Sequence, residues 1–214
     1  MRAETVEESS EDDSSSKIVV REDSHLAFKI LAKGFGPYHF SFIKSSANYG
    51  ARVLLALAED IPAGAVIGFT AFDMGVVYYI YVEERFRGLG VGKTLILSLE
   101  EIFESMGTKV FVASTVFSNK TSMRLFESLG YELIPIELLE EKSPVVAEKI
   151  KKVACMEDDD VLMVKPSLQE LQRSLLKVNS KDVVKMWIAQ CYKPWISYFS
   201  NSLKGLESPS IKLV

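Results

Sequence analysis

Cysteine and histidine are scarce in this 214-residue chain, which has two of each. Cys155 and Cys191 stand apart, at no spacing that holds a metal, so no metal is expected and a reduced, cytoplasmic setting fits. No apolar run approaches the ~20 residues of a membrane span. The acidic N-terminus lacks the pattern of a signal or transit peptide. No internal repeat is visible. What remains is a soluble-type composition, 48% apolar and 25% charged, with enough chain for one core and an appendage.

The net charge of −4 is unevenly placed. Residues 1–16 hold six acids against Arg2 alone, are rich in serine, and have little to bury, so a disordered tail is expected there. A phosphorylatable or partner-binding role is the functional alternative. Residues 167–214 carry seven bases against three acids. Their apolar groups, among them Val183, Met186, Trp187, Trp195, Ile196 and Phe199, are too many to leave in water. Two helices are expected, Leu168 to Val178 and Asp182 to about Phe199, with Pro194 kinking or ending the second. They would pack on the preceding domain or on a second chain, as a homodimer. A nucleic-acid reader or a membrane-surface helix is the weaker alternative, so neither nucleic acid nor membrane is expected as a partner.

The stretch from Val76 to Met106 organises the rest. A β-branched and aromatic run ends at Val82 and is followed by the charged turn Glu83-Glu84-Arg85-Phe86. Next come Arg87-Gly88-Leu89-Gly90-Val91-Gly92-Lys93 and a helical period: Leu95, Leu99, Ile102, Phe103 and Met106. Glycines at a helix start let a ligand approach the backbone, and the first-turn N–H groups point outward with the positive end of the helix dipole. A phosphate or pyrophosphate is the natural guest. The dinucleotide fingerprint G-x-G-x-x-G fails, because its third glycine falls on Lys93. The P-loop pattern G-x-x-x-x-G-K-S/T fails at its first glycine, which is Arg87, and the next strand ends without an acid for magnesium.

A third pattern, R/Q-x-x-G-x-G/A, is met in full by Arg87, Gly90 and Gly92. Downstream, Asn119, Ser122, Leu125, Phe126, Glu127, Gly130 and Tyr131 fit N-x-x-A/S-x-x-L/F/Y-F/Y-E-x-x-G-F/Y. Together these resemble motifs A and B of the GNAT acyltransferases, the Gcn5-related N-acetyltransferases. The resemblance implies an α/β (α+β) fold with a mixed, mostly antiparallel central sheet flanked by helices. It covers residues 17–166 as the domain, with 167–214 as a C-terminal helical extension.

The same resemblance implies direct transfer of an acetyl group from acetyl-CoA to a primary amine in a ternary complex. Gly88 to Lys93, with Leu89 and Val91 between the glycines, would hold the pyrophosphate beside Arg87. A bulge would splay this strand from the next one and leave backbone groups of Ile80, Tyr81 and Val82 free for pantetheine, and the Val82 N–H would stabilise the oxyanion. Asn119 would contact the cofactor, though helix capping explains it as well. Phe126 stands where the ribosomal-protein N-terminal acetyltransferases carry a tyrosine acid, and Ser114 where they carry a glutamate base. Tyr81, Tyr79, Glu83 and Ser118 are the candidate replacements. His39 is an alternative base or a structural histidine. The acceptor stays open between a protein N-terminus or lysine and a small molecule. A regulatory acyl-CoA-binding module with little turnover is the other reading.

Along the remaining chain, strands are expected at Lys17–Arg21, Arg52–Glu59, Ala65–Asp73, Lys109–Thr115, Tyr131–Leu138 and Val161–Lys165. Ser24 would cap a first helix, and residues 60–64 would form a hairpin turn. Ser143 to Cys155 reads as an amphipathic helix whose basic face includes Lys149. Tyr78, Tyr79 and Tyr81 should alternate across their strand, and the acids from Glu157 to Asp160 should be exposed.

Overall fold

The computed structural model describes residues 17–47 and 50–204, and the acidic tail of residues 1–16 lies outside them. Seven strands form one sheet: β1 (Ile18–Glu22), β2 (Arg52–Ala58), β3 (Ile61–Ala71), β4 (Met74–Val82), β5 (Val110–Thr115), β6 (Glu132–Pro135) and β7 (Val161–Lys165). Their spatial order is β1-β2-β3-β4-β5-β7-β6. Every neighbouring pair is antiparallel except β4 with β5, which is parallel.

Helices cover both faces. On one lie α3 (Val91–Ser105) and α4 (Lys120–Glu127). Leu95, Ile96, Leu99 and Phe103 seat α3 on the sheet, each at most 1% exposed. Burial of that extent stabilises by roughly 1.5–3 kcal/mol per side chain. The periodicity overreached by one residue: Met106 lies past the helix end and is 52% exposed.

On the opposite face α1 (Ser24–Gly34) and α2 (Pro37–Ala47) cover β2 and β3 through Ala27, Ile30, Leu31 and Ile43. Asp23, not Ser24, caps α1, its carboxylate accepting the Leu26 N–H. The same face carries α5 (Ile136–Lys142), α6 (Pro144–Val153), α7 (Leu168–Lys177) and α8 (Ser180–Trp187). Leu171, Leu175 and Val183 share one buried cluster with β5 and β7, so these helices sit on the sheet itself. The Ser174 hydroxyl donates to Asp73 at 2.6 Å, which ties α7 to the β3–β4 turn. A π-helical turn, Ile188–Tyr192, leads into α9 (Lys193–Lys204), which runs against α2.

Several sequence expectations need correction. The β2–β3 turn is Glu59-Asp60, both left-handed at φ 52° and 64°, as a two-residue hairpin favours. Pro62 and Gly64 lie inside β3, where the pairing slips beside Ala56 and Leu57, and a bulge tolerates proline. The strand expected to run to Leu138 stops at Pro135, and good helix formers make the rest α5. Lys149 is buried rather than on a basic face. Its ammonium donates to the carbonyls of Leu175 and Val178 at 2.8 and 2.7 Å, the open C-terminal end of α7. Cys155 and Cys191, 36 residues apart, are joined by a disulfide with Cα atoms 5.5 Å apart. Sequence distance hid that meeting, because it is made by α6 and the π-helical turn folding together.

Candidate acyl-transfer site

The organising strand parts from its neighbour. β4 pairs with β5 only at Met74, Gly75 and Val76, leaving Val77 to Val82 without a β5 partner. A bulge lies where Ile67 pairs with Tyr79 and Gly68 with Val77, so Tyr78 is the extra residue. The bulge resets the alternation. Tyr78 packs against the α6 cluster, while Tyr79 and Tyr81 pack against the α1–α2 cluster on the same face. The three tyrosines therefore do not alternate as expected. Glu83 donates its N–H to Ala63 at 2.9 Å on the β3 side. By strand alternation the main-chain groups of Val82 and Ile80 point the other way, into the gap. The Val82 carbonyl there accepts from Arg87 Nε at 3.2 Å.

A cavity of about 550 Å³ opens at the C-terminal end of this strand. Ile80, Tyr81, Val82, Arg87, Gly88, Gly90, Val91, Gly92, Lys93 and Asn119 all line it. Gly88 and Gly90 adopt φ 80° and 86°, and Gly90 is the residue that starts α3. A side chain is disfavoured there by the backbone alone. The α3 ladder begins with Thr94 N–H to Gly90 O at 2.9 Å. The preceding first-turn N–H groups therefore have no intrahelical acceptor and face outward. Leu89 is 52% exposed beside them. Arg87 is also paired with Glu84 at 3.5 Å.

A second cavity, about 520 Å³, lies on the far side of the gap. Phe35, Ile80, Asn119 and Ser122 line both, so the two meet there. Asn119 caps α4 by accepting the Ser122 N–H at 3.1 Å and donates to Thr115 at 3.1 Å. Phe126, 1% exposed, meets Tyr131 edge-on with centroids 4.9 Å apart, at the cavity wall. Tyr131 in turn donates to Glu100, whose other oxygen takes Lys165 at 2.7 Å, a buried brace beneath α3.

The second cavity is acidic and aromatic. Ser114, on β5, donates to Asp159 at 2.6 Å. Burial raises the Asp159 pKa, and that Ser114 hydrogen bond partly offsets it. Glu157 accepts the Tyr38 hydroxyl at 2.6 Å, and His39 Nδ1 shares a hydrogen bond with the Tyr79 hydroxyl at 3.2 Å. Burial raises the phenol pKa values of Tyr38 and Tyr79, keeping both protonated. The run from Glu157 to Asp160 is thus not uniformly exposed, since Asp159 turns inward. Sequence reasoning did not select Asp159. The pointer to it was Ser114, whose hydroxyl meets a carboxylate that lies 45 residues downstream.

Of the other candidates, Tyr81 lines the glycine-turn cavity, while Glu83 and Ser118 do not. Glu83 is ion-paired with Lys33 of α1. The Tyr81 ring lies over Gly34, where an added Cβ would stand 2.2–2.7 Å from it. Ser118 lines neither cavity.

This end of the sheet brings together a parted strand pair, an outward-facing glycine turn at a helix start and a carboxylate-lined chamber across the gap. It suits an anion with a long arm on one side and a second reactant on the other. The sequence profile of the Acetyltransferase (GNAT) family matches residues 20–131, more than half of the chain, and the chain belongs to that family. A phosphinothricin N-acetyltransferase from Streptomyces viridochromogenes is 41% identical over 83 residues, which are 36% of this chain and 45% of that protein. The chain thus spans about half the length of that curated relative. A GNAT acetyltransferase from Staphylococcus aureus superposes with a TM-score of 0.51 at 14% identity, over 69% of this chain and 98% of that one. A ribosomal-protein alanine N-acetyltransferase from Escherichia coli gives 0.50 at 15%, over 69% and 91%. At that identity the two structures speak to the fold.

Proposed function

We propose that this protein is an acetyl-CoA-dependent N-acetyltransferase acting on a primary amine. The observation that carries the reading is the β4–β5 gap, which joins the glycine-turn cavity to the carboxylate-lined one at Ile80 and Asn119. The residues fit the cofactor. A Cβ added at Gly88 meets no atom within 4 Å and one at Gly90 meets only Ile18 at 3.9 Å, so the cradle is open to a diphosphate. Main-chain amides from Gly88 to Lys93 would hold that group, with Lys93 adding charge. Bound acetyl-CoA supplies an activated acyl carbon.

The chain supplies position and proton transfer. Ile80 and Val82 offer main-chain groups along the gap, and the Val82 N–H is the oxyanion donor. Asp159 is the base, held by Ser114. It takes one proton from the acceptor ammonium, which frees the amine's lone pair. The C–N bond forms, the C–S bond breaks, and the second proton on nitrogen passes to the leaving sulfur. Phe126 donates nothing, and none is needed, because a thiol with a pKa near ~8.5 leaves readily. The outward charge of Asp158 and Glu157 favours a cationic acceptor entering this chamber.

Thiol release measured over a panel of amines tests the proposal. Release that requires an amine supports it. Tight acetyl-CoA binding with no release from any amine would favour the regulatory module instead.

A further inference from the structure

Beyond the acceptor chamber lies a third cavity, about 460 Å³, which shares Tyr38, Cys155, Glu157 and Asp158 with it. Its outer wall is aromatic. Trp187 and Tyr192 stack with centroids 5.1 Å apart at 25°, and Tyr192 and Trp195 stack at 6.0 Å and 15°. Tyr192 and Trp195 are 38% and 39% exposed. The Cys155–Cys191 bridge fixes this wall to the end of α6, beside Glu157 and Asp158. Among the described residues no lysine or arginine lines either cavity.

Tyr192 gives its faces to Trp187 and Trp195, so a cation here is drawn by the carboxylates of Glu157 and Asp158 and by the ring of Trp195 at the end of the stack. A carboxylate or phosphinate on the acceptor would meet no lysine or arginine here and would face Glu157 and Asp158. We propose that this cavity is a subsite for the distal ammonium of a linear diamine or polyamine whose near amine is acetylated. This rests on the acetyltransferase reading above. The near amine loses a proton to Asp159 and gains the acyl carbon. The distal ammonium forms no bond and keeps its proton. Tyr38 stands between the two chambers, its hydroxyl held by Glu157, and divides the acylated end from the bound end.

A matched set of acceptors tests the subsite on the full chain, with acetyl-CoA and thiol release as the readout. Cadaverine and pentylamine differ by the distal ammonium, and δ-aminovalerate replaces it with a carboxylate. Expected is a kcat/KM for cadaverine at least about tenfold above that for pentylamine, with δ-aminovalerate lowest, since charge and ring contacts of this kind are worth about one decade. Trp195→Leu and Asp158→Asn should each draw the cadaverine-to-pentylamine ratio towards one. Equal use of cadaverine and pentylamine overturns the subsite and leaves the acetyltransferase reading standing. A lysine-rich peptide outperforming cadaverine overturns the small-molecule assignment. Absence of release from every amine overturns the acetyltransferase reading itself. In that case quenching of tryptophan fluorescence still decides the subsite: tighter binding of cadaverine than of pentylamine supports it, and equal binding overturns it.

Discussion

The cavity at the glycine turn is lined largely by continuous chain, residues 80 to 93, and offers main-chain amides. The chamber across the gap is assembled from α2, β4, β5, α4 and the loop before β7, and offers side chains. Backbone recognition of a diphosphate depends on glycine and on a helix start, which are local properties. Acceptor chemistry depends on which side chains the fold brings together. The comparison makes a separable prediction: changes on the first side should move the KM for acetyl-CoA, and changes on the second should move kcat and its pH dependence.

The largest effect is expected from Asp159→Asn, which should lower kcat by about 10²–10⁴-fold, the span of a positioned general base. The KM for acetyl-CoA should stay near its original value in steady-state assays. This variant has a second signature. The folded-state pKa of Asp159 is raised, chiefly by burial. The stability it contributes is therefore full below the unfolded pKa of ~3.9 and is lost as pH rises through the folded value. At neutral pH the amide should melt no lower than the acid.

Gly90→Val attacks the other side. It forces a β-branched residue into a left-handed conformation that costs about 1–2 kcal/mol and fills the cradle. The KM for acetyl-CoA should rise about tenfold or more, with the pH profile unmoved. Ser114→Ala should act more gently. It removes the hydrogen bond that lowers the Asp159 pKa, so kcat should fall severalfold and the acidic limb of the pH profile should shift upwards. Phe126→Tyr should be the mildest, changing kcat by less than about threefold, because thiolate departure needs no acid at a pKa near ~8.5. A rise beyond tenfold would assign proton donation a limiting role.

The same contrast explains what could be read before the fold was known. The proposed anion cradle is legible in Arg87, Gly90 and Gly92, three residues within a run of six. The parting of β4 from β5 was expected from the family resemblance, and the pairing that ends at Val76 accords with it. Asp159 was hidden, because the place proposed for it exists only when the loop before β7 meets Ser114. The tyrosine stripe misled for a related reason: one bulged residue, Tyr78, resets the period on which alternation rests. Lys149 and the two cysteines were misread because helix ends distant in sequence meet around them.

The most direct test compares the pH dependence of kcat/KM for cadaverine in the unaltered protein and in Asp159→Asn, at saturating acetyl-CoA. The account predicts an acidic limb in the unaltered protein, with a midpoint above the ordinary aspartate value of ~3.9, and its disappearance in the amide variant. The same limb and an undiminished rate in Asp159→Asn would contradict it.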